Sequence, residues 1–199
     1  MAINLSKGQK VDLTKGNPSL KNLMVGLGWD VNAFDGGYDF DLDASAFLLG
    51  SNGKVISDED FVFYNNLEAR DGAVRSMGDD TTGGNSDGGD DEQIYIDFTK
   101  LPPEIEKIAI TVTIHEADVR HQNFGQVSNA YVRVAKLDYP DAPDGETVLQ
   151  FDLEEEFSIE TALVVCEIYK KNGEWKFNAV AAGYSGGLEA LCRAYGVNV

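Results

Sequence analysis

The sequence predicts an all-β protein: a two-sheet antiparallel β-sandwich with acidic ion-binding loops and a short C-terminal helix. Three observations support this prediction. β-branched and aromatic residues alternate with polar ones in many short segments, turn signals separate those segments, and only one segment has a clear helical period. The 199 residues, 43% of them hydrophobic, suit one folded domain spanning 1–199.

Nine segments have the composition and the period of two that are typical of strands. Asn172-Gly173 separates the last two of them and predicts a tight hairpin, because both residues accept positive φ. Pro102-Pro103 interrupts the chain between two others. The predicted strands cover 22–29, 40–49, 60–64, 93–98, 106–115, 129–137, 147–152, 161–170 and 174–182.

One helix is predicted near the end of the chain, at 187–196. Its apolar residues follow the spacing i, i+3, i+4, i+7 from Leu188 to Tyr195, which places them on one face. Gly196 suits the residue that follows a helix, where positive φ is common. A helical turn is also expected within 118–124. Many short strands and one helix favour a sandwich over the other fold classes.

The charge is strongly acidic and unevenly distributed. Asp and Glu total 34 against 16 Lys and Arg, which gives a net charge of −18. Nucleic acids and anionic membranes are therefore disfavoured as partners, because both are polyanions. Segments 30–43 and 79–92 hold five and six acids respectively and no base, whereas a solvated acidic surface would interleave bases. Cations are the expected partners.

The compartment is predicted from what the sequence lacks. The N-terminal residues show neither the basic start nor the apolar run of a signal peptide. No apolar run approaches the roughly 18 residues of a membrane-spanning helix. Cys166 and Cys192 lie far apart in apolar settings and are expected to be buried, reduced thiols. A cytoplasmic protein without direct membrane insertion is expected.

The two acidic segments should differ in local structure. Within 39–47, Asp39, Asp41 and Asp43 alternate with apolar residues, so a row of carboxylates should stand on the strand face opposite the core-facing row. Segment 78–92 contains five glycines and no large apolar residue, which predicts a loop.

Clustered carboxylates beside a glycine-rich loop indicate calcium, which takes six to eight oxygen ligands with tolerant geometry. Eleven acids in two segments exceed the need of one ion, so two or more Ca²⁺ ions are expected. Magnesium fits less well because it demands an octahedron, and zinc would favour His or Cys, which are scarce here. The segment is not an EF-hand, because Ala44 and Gly50 stand where that loop needs Gly and Glu.

No catalytic constellation stands out, and the protein is predicted not to be an enzyme. His115 and His121 miss the zinc-protease spacing because Val119 stands at the position of the second histidine. Gly-x-Ser-x-Gly occurs at 183–187, but without the α/β pattern of a hydrolase. Two alternatives stay open. One is a metal-dependent hydrolase in which His115 or His121 assists a metal-activated water. The other is a calcium-independent scaffold whose acidic face docks a basic partner.

Ordered motifs along nearly the whole chain resemble the TerD family of tellurium resistance and stress proteins. They are Leu5-Ser6-Lys7-Gly8, Val25-Gly26-Leu27-Gly28-Trp29-Asp30, Asp39-Phe40-Asp41-Leu42-Asp43-Ala44-Ser45, Phe63-Tyr64-Asn65-Asn66, Gly78-Asp79-Asp80, Asp90-Asp91-Glu92, Thr113-Ile114-His115-Glu116-Ala117, Phe124-Gly125-Gln126-Val127, Gly173-Glu174-Trp175-Lys176-Phe177 and Gly183-Tyr184-Ser185-Gly186-Gly187-Leu188. The resemblance implies a bacterial cytoplasmic β-sandwich that binds calcium through acidic loops. It also implies a role in tellurite resistance and general stress response, with other such proteins as partners at the inner membrane surface.

The central pattern of that family resembles Gly-Asp-Asn-x-Thr-Gly-x-Gly-Asp-Gly-Asp-Asp-Glu. Here Asp80 replaces the Asn, and the middle of the segment is slightly longer. Asp79, Asp90, Asp91 and Glu92 match the pattern directly, whereas Asp87 falls in the part that departs from it. Together with the acidic strand and nearby oxygen donors, the candidate calcium ligands are Asp30, Asp41, Asp43, Asn65, Asn66, Asp79, Asp80, Asp87, Asp90, Asp91, Glu92 and Glu116.

Overall fold

The computed structural model describes residues 2–31, 37–78, 81–82, 89–140, 142, 145–153 and 159–198. Within these ranges the strands are β1 (Ile3–Asn4), β2 (Lys10–Asp12), β3 (Asn22–Gly28), β4 (Leu42–Leu49), β5 (Phe61–Val62), β6 (Glu68–Ala69), β7 (Val74–Ser76), β8 (Glu92–Asp97), β9 (Lys107–Ile114), β10 (Tyr131–Leu137), β11 (Glu146–Asp152), β12 (Ala162–Lys171) and β13 (Glu174–Tyr184). The helices are α1 (Ala117–Arg120) and α2 (Gly187–Tyr195), with short 3-10 helices at Asp58–Asp60 and Phe124–Gln126.

The strands form two sheets, which confirms the predicted β-sandwich. The seven-stranded sheet has the order β1-β11-β10-β3-β8-β7-β6, and the six-stranded sheet has the order β2-β13-β12-β9-β4-β5. Neighbouring strands are antiparallel except β1, which runs parallel to β11. The N-terminal strands β1 and β2 lie in different sheets, each at the outermost position.

The alternating residues of β4 explain its burial on both faces. Leu42, Ala44, Ala46 and Leu48 belong to the core between the sheets. On the other face, Phe47 belongs to a second apolar cluster that includes residues of α2, and its ring stacks on Phe61 with centroids 4.3 Å apart. Helix α2 therefore covers the outer side of the six-stranded sheet, as expected for a helix with one apolar face.

Each of the nine predicted strands is present, with bounds that differ from the prediction by at most two residues. The structure adds four short strands, β1, β2, β6 and β7, that the sequence did not predict. The predicted helix ends at Tyr195, and Gly196 follows it with φ of 83°. Both cysteines are buried free thiols. None of the helices formed by the described residues is long and apolar enough to cross a membrane.

Candidate metal centre

Asp41 and Asp43 mark the start of β4 and are both buried, at 6% and 5% exposure. The antiparallel register pairs Asp43 with Thr113 of β9, and the His115 N–H donates to the Asp41 carbonyl at 2.8 Å. The Asp43 carboxylate oxygen Oδ2 lies 3.8 Å from His115 Nδ1. The end of β9 thus fixes two buried carboxylates, spaced two residues apart, at one end of the sandwich.

Helix α1 follows β9 directly and brings a positive charge to these carboxylates. Arg120 Nη1 lies 3.3 Å from Asp41 Oδ2, and Arg120 Nε lies 3.7 Å from Glu116 Oε2. Glu116 adopts a left-handed backbone conformation just before the helix, with φ of 49°. Arg120 is not among the residues predicted from the sequence, although its spacing of four residues from Glu116 is a signal for such a pair.

Asp91 and Glu92 bring carboxylates from the seven-stranded sheet to the same end. Asp91 Oδ2 accepts the N–H of Trp29 at 2.9 Å, and the Asp91 N–H donates to the Leu27 carbonyl at 2.8 Å. Glu92 is buried, and its Oε2 accepts the N–H of Ala44 at 2.5 Å. Because Ala44 follows Asp43, Glu92 at the start of β8 contacts the backbone of β4 one residue after its acidic start.

Asp90 is held on the opposite, outer face of the seven-stranded sheet. Arg133 binds both of its carboxylate oxygens, Nε to Oδ1 and Nη2 to Oδ2, each at 2.7 Å. The Tyr131 hydroxyl and the Gln93 side-chain amide donate to the same carboxylate at 3.2 and 3.1 Å. The structure therefore does not bring Asp90 together with Asp41, Asp43 or Glu92. As a metal ligand, Asp90 would have to share its carboxylate with Arg133.

The remaining described candidates lie in turns or at exposed positions. Asp30 is exposed and accepts a hydrogen bond from the Asn129 side chain. Asn66 donates its amide to the carbonyls of Phe61 and Glu59 at 2.6 and 3.3 Å, which closes the turn after β5. Asn65 is exposed in the same turn. Asp79, Asp80 and Asp87 lie outside the described residues.

A cleft of about 330 Å³ opens beside the acidic strand. Four of the residues that line it are acids, and they surround His115, whose ring meets that of Tyr64 edge-on at 6.0 Å. The N-terminal end of α2 closes one side, where the Gly187 N–H donates to the Thr161 hydroxyl at 3.2 Å. The four acids are Asp43, Glu116, Asp118 and Glu189.

The donor chemistry of this end of the sandwich fits a hard divalent cation. Buried carboxylates are costly unless a positive charge or hydrogen bonds compensate them, and calcium prefers carboxylate and carbonyl oxygens. Among the described residues, no group of three or more His, Cys, Asp and Glu is arranged to hold a metal ion. Those residues supply the carboxylates of Asp41 and Asp43 from the start of β4, and those of Asp91 and Glu92 from the start of β8.

Comparison with known proteins places the chain in a family. The TerD domain model matches residues 1–195. The tellurium resistance protein TerD of Serratia marcescens is 52% identical over 199 residues, covering 100% of this chain and 99% of that protein. General stress protein 16U of Bacillus subtilis is 51% identical, with 100% of both chains covered.

A solved structure has the same architecture. The crystal structure of a homologue of the telluride resistance protein TerD from Streptomyces coelicolor superposes with a TM-score of 0.70 at 25% identity, covering 87% of this chain and 95% of the other. The match of the family model over nearly the full length, the relatives above 50% identity and the common fold agree with one another. The chain belongs to the TerD family of tellurium resistance and general stress proteins.

Proposed function

We propose that this protein is a calcium-binding stress-response protein associated with tellurite resistance, and that Ca²⁺ orders its acidic segment for interaction with partner proteins. One observation carries the proposal. The buried carboxylates of Asp41 and Asp43 lie at the same end of the sandwich as Asp91 and Glu92, which end the acidic segment 79–92. A cation at this end would join the strand to the loop.

Electrostatics supports a divalent cation over a monovalent one. Carboxylates gathered at one end of a protein of net charge −18 repel one another, and burial removes the water that would screen them. A calcium ion bound by several of them offsets this repulsion and tolerates an irregular ligand set. Asp79, Asp80 and Asp87 would add ligands from the loop, with Asp30, Asn65, Asn66 and Glu116 at its margin. The number of acids suits two or more ions.

The names of the relatives support the proposed biological role. Their names refer to tellurium resistance and to general stress, and we infer the same role for this chain, in the cytoplasm. Other stress and tellurite-resistance proteins at the inner membrane surface are the proposed partners. Binding of tellurite itself by the acidic end is disfavoured, because an oxyanion would be repelled there.

A hydrolase is the second candidate, because one pair of residues favours it. His115 lies 3.8 Å from the buried Asp43 carboxylate and lines the 330 Å³ cleft, an arrangement in which a histidine can move protons for a metal-activated water. Calcium-dependent turnover of phosphoester substrates that disappears in His115→Ala would favour this candidate over a binding role.

The test is calorimetric titration of chelator-stripped protein with Ca²⁺, with Mg²⁺ as the control ion and thermal melts alongside. Selective Ca²⁺ binding with a rise in melting temperature is expected. At a hundredfold excess over Kd, the ion adds about 2.7 kcal/mol to the free energy of unfolding. The double variant Asp43→Asn/Asp91→Asn should lose most of this gain, because each change removes a charge and keeps the side-chain shape.

The matched control is Asp12→Asn, since Asp12 pairs with Lys176 at the far edge of the six-stranded sheet. This variant should keep the Ca²⁺-induced rise in melting temperature. Absence of Ca²⁺ binding at millimolar concentration, or an unchanged rise in the double variant, would refute the proposed site.

A further inference from the structure

We propose that Arg120 competes with calcium for the candidate ligands and thereby sets the calcium affinity of this protein. The inference rests on the proposed calcium function and adds a residue to it. In the structure the guanidinium group of Arg120 already occupies the carboxylates of Asp41 and Glu116, at 3.3 and 3.7 Å. A calcium ion that uses these two carboxylates must displace the guanidinium first.

The ion pair between Arg120 and Asp41 is partly buried, so solvent screens it less than an exposed pair. The side chains of Asp41 and Arg120 are 9% and 18% exposed. Exposed ion pairs contribute little because water and salt screen them, whereas a buried carboxylate that loses its counter-charge is destabilising. Arg120 therefore stabilises the metal-free protein by compensating Asp41.

The same contact weakens calcium binding. A ligand that binds only one of two states has its apparent affinity reduced by the fraction of protein in that state. Calcium bound by Asp41 and Glu116 would stand a few ångströms from a guanidinium group of like charge, so the ion pair and the calcium complex exclude each other. The strength of the ion pair therefore sets the calcium concentration at which calcium displaces Arg120.

Arg120 already contacts a second group that can hold its side chain without unfolding of α1. The Arg120 guanidinium carbon lies 5.8 Å from the centre of the Tyr38 ring, and Tyr38 is 65% exposed. Both residues line a second cleft of about 570 Å³, and none of the described residues that line it is acidic. A cation–π contact with Tyr38 can hold the guanidinium after it leaves the carboxylates. Arg120 thus contacts Asp41 and also lines a cleft in which the described residues carry no acid.

The first test measures Ca²⁺ affinity and metal-free stability of the full chain for wild type and Arg120→Gln. The variant should bind Ca²⁺ roughly five- to tenfold more tightly, in the range of coupling between neighbouring sites. Its melting temperature in chelator should be lower than that of wild type. Opposite effects on metal-free stability and on affinity distinguish competition from a general loss of structure.

The matched control is Lys107→Gln, which also makes the protein one charge more negative. Lys107 pairs with Glu167 at 2.7 Å and is the first residue of β9, at the opposite end of that strand from His115. Its Ca²⁺ affinity should stay within about twofold of wild type, because charges farther apart than the screening length interact weakly. An equal gain in both variants would assign the effect to net charge and overturn the proposal.

The second test follows the guanidinium directly in the wild-type protein, and a variant is needed only to assign its signal. The chain has five arginines, so the Nε–Hε cross-peak of Arg120 can be identified in an NMR spectrum by its loss in Arg120→Lys. Ca²⁺ titration should shift this cross-peak in step with binding and leave that of Arg193, on the surface of α2, in place.

The outcomes separate the two proposals. If wild-type protein binds no Ca²⁺, the proposed function fails and this inference fails with it. If wild type binds Ca²⁺ while Arg120→Gln keeps the wild-type affinity, or the Arg120 cross-peak does not move, calcium binding stands and competition by Arg120 is wrong.

Discussion

The carboxylate of Glu92 and the backbone N–H of Ala44 connect the two sheets at 2.5 Å. Glu92 begins β8 in one sheet, and Ala44 lies in β4 of the other. Strand β5 pairs with β4 only at Ala46 and Phe47, so no strand formed by the described residues pairs with this side of β4 at Ala44. Glu92 supplies the acceptor that a strand would otherwise provide.

Glu92→Ala should lower the free energy of unfolding by about 2 kcal/mol, because a buried N–H loses a charged acceptor. Glu92→Gln keeps an acceptor oxygen and should cost about half as much. Urea denaturation in the presence of chelator measures both. Equal losses for the two variants would show that the negative charge matters rather than the hydrogen bond.

Arg133→Met should destabilise the protein by about 3 kcal/mol, because it leaves the Asp90 carboxylate buried without its counter-charge. The double variant Asp90→Asn/Arg133→Met removes both charges and should be more stable than Arg133→Met alone. Denaturant unfolding of the single and double variants measures their free energies of unfolding. Additive losses would mean that the two side chains do not act as a pair.

Gly26→Ala should destabilise the protein by more than about 2 kcal/mol, in the range of overpacked sites. A Cβ at Gly26 would lie 2.5 Å from Asp90 Oδ1 and closer still to the rest of that carboxyl group, which Arg133 holds in place. Gly16→Ala is the control, since a Cβ there meets nothing within 4 Å. If both variants melted at the same temperature, the close packing of Asp90 on Gly26 would be refuted.

Stability should fall steeply between about pH 10 and pH 12, partly through Tyr131. Burial, followed by the charge of Asp90, raises the pKa of Tyr131 from 10.0 to about 12. A raised pKa stabilises the folded state below the unfolded pKa, and this contribution is lost as the pH rises through the folded value. Burial also raises the pKa of Tyr195, so Tyr131→Phe should reduce the slope rather than abolish it.

Denaturant melts from pH 9 to pH 12 measure this slope. Tyr139→Phe is the control, because the Tyr139 ring is exposed, and it should keep the wild-type profile. An unchanged slope in Tyr131→Phe would show that this hydroxyl takes no part in the alkaline transition.

The sequence predicted the elements that carry a clear period. Strand β4 and helix α2 were located because their apolar residues repeat every two residues and along one helix face, respectively. Strands β1 and β6, at two residues each, are too short to show any period. Their pairing depends on neighbours that are distant in the chain.

The acidic residues of the candidate site could be predicted from the sequence, but their positions relative to one another could not. Asp90 and Glu92 are two residues apart, yet Asp90 lies over Gly26 on the outer face, whereas Glu92 contacts Ala44 between the sheets. The face on which each of these two side chains lies depends on the neighbouring strands, which are distant in the chain. Arg120 and Arg133 were missed because their partners are set by tertiary contacts. Calcium binding stays a prediction, and so does the assignment of residues 1–199 to one domain.

The position of β1 and β2 has a consequence for self-association. One short N-terminal segment supplies the outermost strand of both sheets, so it pairs with part of β11 and part of β13. Exposed edge strands readily pair with strands of other molecules. Removal of residues 2–12 would therefore uncover two edges at once, and we expect it to promote strand pairing between one copy and the next.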